Sequence, residues 1–330
     1  MERAPGGGPR RTSTDRDNEG VERMSNRRSF HVLAGVPVLG CLLAMPSSAR
    51  AQHETHVYGV ANFGHTGECE DDTSLSHSVH TSTAAAFAST FNLLRMVSLW
   101  DEVSTRNNTS ARGSYWTDSS QAASCACSAN DMASGSGADE ADVVFIHTHG
   151  WHDAGSSSTP AYSGLVMGNG SYDCRVLTNE NMLFGNPGTG GDLEIAVVKA
   201  CQSGDYDVWK NGGYRQQITT SDSTMTMWNA FHGDSSCGNH VKDYVGDYSI
   251  SSISNGVGEN WIDEAYDDSQ FSNDDDCPVS IVFGASFASR ELMYEYGGWR
   301  DRKNTGLKTG STIYYIAGCD PSNGRVLPGG

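Results

Sequence analysis

Basic residues are scarce in this chain: Lys+Arg 22 stand against Asp+Glu 40 among 330 residues, a formal charge of -18. Phosphate backbones and anionic lipid surfaces repel such a chain, so a nucleic-acid or membrane-surface binder that grips through a basic patch is excluded. Proline is sparse too, at 9 residues, whereas Gly 38, Trp 7, Tyr 13 and Phe 10 supply turns and core material. That balance argues against a disordered chain and predicts a loop-rich compact fold. Beyond residue 51 no apolar run approaches the roughly 20 residues a spanning helix needs. No internal repeat recurs at a fixed period and no linker-like break in composition appears, so residues 52–330 are expected to form a single domain.

Residues 1–51 read as an address. Ser25-Asn26-Arg27-Arg28-Ser29-Phe30 precede an apolar run from Val32 to Met45, and Ala49-Arg50-Ala51 stands before Gln52 as an Ala-x-Ala cleavage site. This is the pattern of a twin-arginine export signal, a signal peptide removed on export. Met24 is a candidate true start, because residues 1–23 carry acids foreign to a signal's basic front. Val38-Leu39-Gly40-Cys41 loosely matches a lipoprotein cleavage box, but it lies close to the arginines and is followed by Leu42-Leu43-Ala44, so it is the weaker reading. The mature protein is expected to be extracellular, periplasmic or at the cell surface, with no stable membrane insertion after the signal is removed. It keeps 14 Lys+Arg against 35 Asp+Glu, about -21, so the exported part is the acidic part.

Eight cysteines lie beyond residue 51: Cys69, Cys125, Cys127, Cys174, Cys201, Cys237, Cys277 and Cys319. Export makes disulfides chemically available, and most of the eight are expected to pair, with connectivity left open. Cys125-Ala126-Cys127 is too tight for an unstrained bridge between its own members and lacks the histidines of a zinc box. If one cysteine works as a thiol, seven remain, and at least one of those is unpaired.

Hydrophobic periodicity lays out an α/β chain. His56–Phe63 reads as a first strand, and Ala84–Trp100 carries Phe87, Phe91, Leu94 and Val97 at helical spacing. Residues 104–139 have no period and are expected to be a long loop. Ala141–Ile146 and Leu193–Val198 are short β-branched runs, expected to be buried parallel strands with polar residues beginning at their C-terminal ends. Helices are expected at Thr224–Phe231, Val257–Tyr266 and Ser289–Tyr296, and strands at Pro278–Phe283 and Ser311–Ala317. Strands alternating with helices predict a layered α/β fold with a mostly parallel central sheet.

Chemistry concentrates at two strand ends. After the first buried run stand His147-Thr148-His149-Gly150-Trp151-His152; after the second stand Lys199-Ala200-Cys201-Gln202-Ser203-Gly204. Ligands gather outside the carboxyl ends of parallel strands. A thiol with a pKa near 8.5 is mostly protonated at neutral pH, and a nearby imidazole can hold or take its proton, so His149 and Cys201 have the makings of a nucleophile and its base. Gly150 leaves room for a substrate backbone, and its N–H together with that of Cys201 can cradle a developing oxyanion. His147, Gln202 and Ser203 are expected to brace this pair.

The strand ending in His149-Gly150 and the strand ending in Ala200-Cys201, in that order, resemble the caspase-like clan of cysteine peptidases: caspases, metacaspases, legumains, gingipains and clostripain. Tyr58-Gly59-Val60, Asp142-Val143-Val144-Phe145-Ile146 and Trp228-Asn229-Ala230-Phe231-His232-Gly233 extend the likeness to an uncharacterised secreted bacterial family with this fold. The resemblance implies a three-layer α/β/α sandwich, Cys201 as nucleophile, His149 as base or proton donor, a peptide or protein substrate and no cofactor. Metacaspases carry an acidic residue two places before the cysteine, where this chain has Lys199, so their preference for basic side chains does not carry over.

Other readings compete. Cys201 can be an ordinary half-cystine, and the same scaffold can serve a secreted, non-catalytic binding or surface protein. His147, His149 and His152 also sit at the first, third and sixth positions of a His-x-His-x-Asp-His zinc hydrolase box, with Trp151 where that box needs Asp. Asp267-Asp268 and Asp274-Asp275-Asp276 offer oxygen donors of the kind Ca2+ takes, without EF-hand spacing; a solvated acidic loop is the simpler expectation for residues 267–276.

Overall fold

The computed structural model of the chain describes residues 11–15, 53–63, 77–121, 129–153, 162–168, 175–178, 180–211, 218–269, 276–299 and 307–329. The export signature, Cys69, Cys125, Cys127 and Cys174 lie outside the described residues. In chain order the strands are β1 (Arg11–Asp15), β2 (Glu54–Gly59), β3 (Glu102–Asn107), β4 (Val143–His147), β5 (Gly150–Asp153), β6 (Tyr162–Val166), β7 (Arg175–Leu177), β8 (Ile195–Lys199), β9 (Met227–His232), β10 (Cys277–Gly284) and β11 (Gly310–Ile316). The helices are α1 (Val79–Met96), α2 (Tyr206–Asn211), α3 (Val241–Ser251), α4 (Val257–Ser269) and α5 (Phe287–Tyr296).

Seven strands between residues 54 and 316 form one sheet in the order β3-β2-β4-β8-β9-β10-β11, and β1 runs antiparallel along β11. Neighbours from β3 through β9 are parallel; β10 runs antiparallel to both of its neighbours. The fold is therefore α/β with a mixed, mostly parallel sheet, as the alternating elements predict. β5, β6 and β7 make a separate antiparallel sheet that leaves the end of β4 at Gly150.

Burial explains which strands the sequence announces. β4, β8 and β10 are buried at every position, so covered strands appear as unbroken apolar runs. β9 is buried throughout as well, and it corrects the helix expected over Thr224–Phe231. A short run that is apolar on both sides carries no period to separate helix from strand. The loop expected over residues 104–139 begins instead with β3, which sits at the sheet edge; paired on one side only, it needs no apolar run and is written Glu-Val-Ser-Thr-Arg-Asn.

α1 crosses from β2 to β3 and lays one stripe on the sheet. His80, Thr83, Phe87, Phe91 and Leu94 are all buried along it, at spacings of three and four. The Phe87 ring stacks on Phe145 of β4 at 4.5 Å, and Phe91 meets Trp100 and Trp299 at 4.9 and 5.2 Å. Cys277 and Cys319 form a disulfide across 42 residues, tying the start of β10 to the segment after β11. Loop-closure entropy makes such a link worth roughly 4 kcal/mol.

Asp139 gives the stability a pH dependence. Burial raises its pKa from 3.8 to about 8, with the charge of Asp131 adding to the rise, against a backbone hydrogen bond from Gly185. The folded protein therefore holds this proton where the unfolded chain has lost it. Stability from this group is complete below pH ~4 and declines as pH rises toward about 8, by at most a few kcal/mol. Asp139→Asn keeps the acceptor for Gly185 and removes the titration. It is expected to flatten the fall in melting temperature between about pH 5 and 8, measured in chelator.

Candidate functional site

The carboxyl ends of β2, β4, β8 and β9 meet, and backbone hydrogen bonds join the segments that leave them. Val60 N–H donates to His147 O at 3.0 Å, and Thr148 N–H to Lys199 O at 3.1 Å. Gln202 and Gly204 N–H donate to Gly233 O and Phe231 O at 2.7 and 2.8 Å. The β4–β8 register pairs Val143 with Ile195 and His147 with Lys199. His149 and Cys201 each stand two residues beyond the last pair of that register, His147 and Lys199.

Gly150 shows how tightly the two segments are set together. A Cβ built on it would lie 2.2 Å from Cys201 O and 3.1 Å from Ala200 Cβ, so only glycine fits against the backbone that carries the sulfur. Both expected oxyanion donors, the Gly150 and Cys201 amides, thus belong to one cramped corner. Cys201 is half-buried and free of any disulfide. Ser235 N–H donates to its sulfur at 3.4 Å, and Ser235 O lies 3.8 Å from it.

The turn after Cys201 is held from every side. Gln202 sits in the left-handed region at φ 58, which costs a non-glycine residue about 1–2 kcal/mol. Its side-chain Oε1 accepts from His152 N–H at 2.9 Å, its Nε2 donates to Asn323 O at 3.2 Å, and its carbonyl accepts from Ser163 Oγ at 2.8 Å. Strain at this position persists because these bonds over-determine it. Ser203 is buried; its Oγ donates to Ala200 O at 2.7 Å, and its carbonyl accepts the indole N–H of Trp228 and Trp209 at 3.1 and 3.3 Å. A Cβ on Gly204 would come within 2.3 Å of Val279 Cγ2. These bonds of Gln202 and Ser203 hold the turn after Cys201 in place. Ser203→Ala is expected to lower stability by about 1–3 kcal/mol in chemical denaturation, because buried acceptors lose their donor.

His149 is half-buried, its ring 4.7 Å from Phe63, 5.2 Å from His80 and 5.8 Å from His77. His147 is turned inward. It is 1 % exposed, its ring lies 4.1 Å from that of His80, and among the described residues neither of its ring nitrogens has a hydrogen-bond partner. Its expected place as a hydrogen-bonding brace of the dyad is therefore not what it occupies. Burial pushes the His147 pKa well down, as it does that of His80, to about 3. His152 leaves with β5, its N–H on Gln202. Among the described residues, the His/Cys/Asp/Glu groups close enough to share a metal ion are His80, His147 and Cys237, and Glu54, His56 and Glu140. Neither is the His147, His149, His152 set.

Lys199 and Asp276 organise the floor beneath Cys201. The Lys199 ammonium is buried, donates to Ser236 O at 2.7 Å, lies 3.8 Å from Asp276 Oδ2 and stands 4.3 Å over the Phe231 ring. Asp276 accepts from Ser236 N–H at 2.7 Å and from Ser236 Oγ at 2.8 Å. This ion pair fixes the 235–237 segment against the sulfur. Asp276 is thus a buried partner, not a member of a solvated acidic loop; residues 270–275 lie outside the described residues.

His80, Ser235, Cys237 and Asp276 are neighbours of the site that the sequence reading does not assign to it. For His80 a signal existed, since it shares the core-facing stripe of α1; Asp276 stands directly before the disulfide cysteine Cys277. Cys237 is the second free thiol. Burial raises its pKa, while the charge of Lys199 acts in the opposite direction. No protein-family model matches the chain, and no curated protein matches it.

Proposed function

We propose that the chain is an exported, caspase-like cysteine hydrolase, an endopeptidase acting on peptide or protein substrates through Cys201 and His149. The observation that carries this reading is the pairing of a free, half-buried Cys201 with the Gly150 backbone seated on its carbonyl. Further support comes from the location, outside the carboxyl ends of parallel strands, and from the strained Gln202 immediately after the sulfur. The Cys277–Cys319 disulfide suits an exported protein. The caspase-like three-layer arrangement and the twin-arginine route belong to the same proposal.

In this mechanism the Cys201 sulfur gives up its proton to His149 and attacks the peptide carbonyl. The amides of Gly150 and Cys201 hold the oxyanion. As the tetrahedral adduct collapses, the C–N bond breaks and His149 returns the proton to the leaving amine. Water, deprotonated by His149, then attacks the thioester and restores the thiol. This chemistry requires no cofactor. A random peptide library incubated with the protein at about pH 5 to 8 tests the reading. Cleavage that stops after thiol alkylation is the expected result; an uncut library, or cutting insensitive to alkylation, overturns it.

A further inference from the structure

Behind the His149 ring, three donors from distant stretches of the chain converge: His80 on α1, His147 at the end of β4 and Cys237 in the segment after β9. We propose that these three side chains form a binding site for a zinc ion, separate from the Cys201–His149 pair. One ligand atom from each lies within 4.8 Å of the others. Tetrahedral zinc at about 2.0–2.1 Å from nitrogen and about 2.3 Å from sulfur sets its donors about 3.4–3.6 Å apart, so small side-chain rotations close the site.

The hydrogen bonding of His80 is that of a metal ligand. His80 Nδ1–H donates to Val60 O at 2.5 Å, which leaves Nε2 with a bare lone pair, and that atom is buried without a partner. A ligating histidine is held in just this way, its second nitrogen tied to a backbone carbonyl. His147 is more telling. Its imidazole is 1 % exposed and, among the described residues, neither ring nitrogen has a hydrogen-bond partner, so a buried lone pair stands ready for a ligand at one of them.

Charge and softness fit as well. Burial keeps both imidazoles neutral, the form that ligates. The Cys237 thiol transfers its proton to solvent as its sulfur bonds to zinc, so the ion's two charges fall to one. Lys199 stands nearby and repels a cation, but Asp276 lies 3.8 Å from its ammonium and offsets that field. Two nitrogens and one sulfur suit zinc and do not suit calcium or magnesium, which take oxygen. Three protein ligands leave a fourth position for water.

The test uses the full chain, stripped with chelator and dialysed against zinc. About one zinc per chain is expected, with affinity falling at least about 10-fold in Cys237→Ser and in His80→Gln. Cobalt in place of zinc should give a thiolate-to-metal absorption band that Cys237→Ser abolishes. Zinc should shield Cys237 from alkylation while Cys201 stays reactive, and Cys201→Ala should bind zinc as the parent does, which separates this site from the hydrolase reading. No zinc retained at micromolar free metal overturns the proposal. So does zinc retained unchanged in the Cys237→Ser/His80→Gln double variant, provided its melting temperature in chelator matches the parent's.

Discussion

Cys201→Ala is expected to lower peptide cleavage by a factor on the order of 10⁴ or more, because without the sulfur no covalent acyl intermediate forms. The fold should survive the change. Among the described residues the sulfur is held by Ser235, through its N–H at 3.4 Å and its carbonyl and Oγ at 3.8 Å each, so its removal should cost about 1 kcal/mol. Turnover measured beside a thermal melt separates the two effects. A variant that melts like the parent and still cleaves would show that Cys201 is not the nucleophile.

Gly150→Ala carries the second large effect. The added methyl would stand 2.2 Å from Cys201 O and 3.1 Å from Ala200 Cβ, and backbone cannot give way as a flexible side-chain tip can. The two strand ends must spread. Overpacking of this kind costs about 1–3 kcal/mol, and a shift of about an ångström between nucleophile and base lowers kcat by about 10²-fold. Gly246 in α3 is the control, since a Cβ there meets nothing within 4 Å; Gly246→Ala should stabilise by about 0.5–1 kcal/mol and leave kcat alone. Steady-state kinetics on both variants check the contrast.

How far an element shows itself in the sequence depends on how its residues are buried. β4, β8 and β10 are visible because strands covered on both faces must be apolar throughout. β9 is equally buried yet reads as a helix, since Met-Trp-Asn-Ala-Phe-His carries no alternation and few β-branched residues. β3 at the edge, and β5 to β7 in their small sheet, have too little apolar pattern to announce themselves. The position of Cys201 and His149 is legible because each stands just beyond a recognisable strand of a parallel pair.

His80, Cys237 and Asp276 are invisible by the same standard. They lie far apart in the chain and meet only because α1, β4, β8 and the segment after β9 are packed together. Cysteine parity nonetheless anticipates one of them. If one of the eight cysteines beyond residue 51 works as a thiol, an odd cysteine remains, and among the described residues Cys237 is a second free thiol beside the Cys277–Cys319 bridge. Lys199, the departure from the metacaspase pattern, is spent on Asp276 within the floor of the site rather than on a substrate.

The most direct measurement is alkylation of the native protein near neutral pH, with the modified cysteine mapped by mass spectrometry and residual cleavage followed in parallel. Rapid labelling of Cys201, with peptide cleavage lost in proportion, is the predicted result. Cys201 recovered in a disulfide, or fully alkylated with cleavage undiminished, would contradict it.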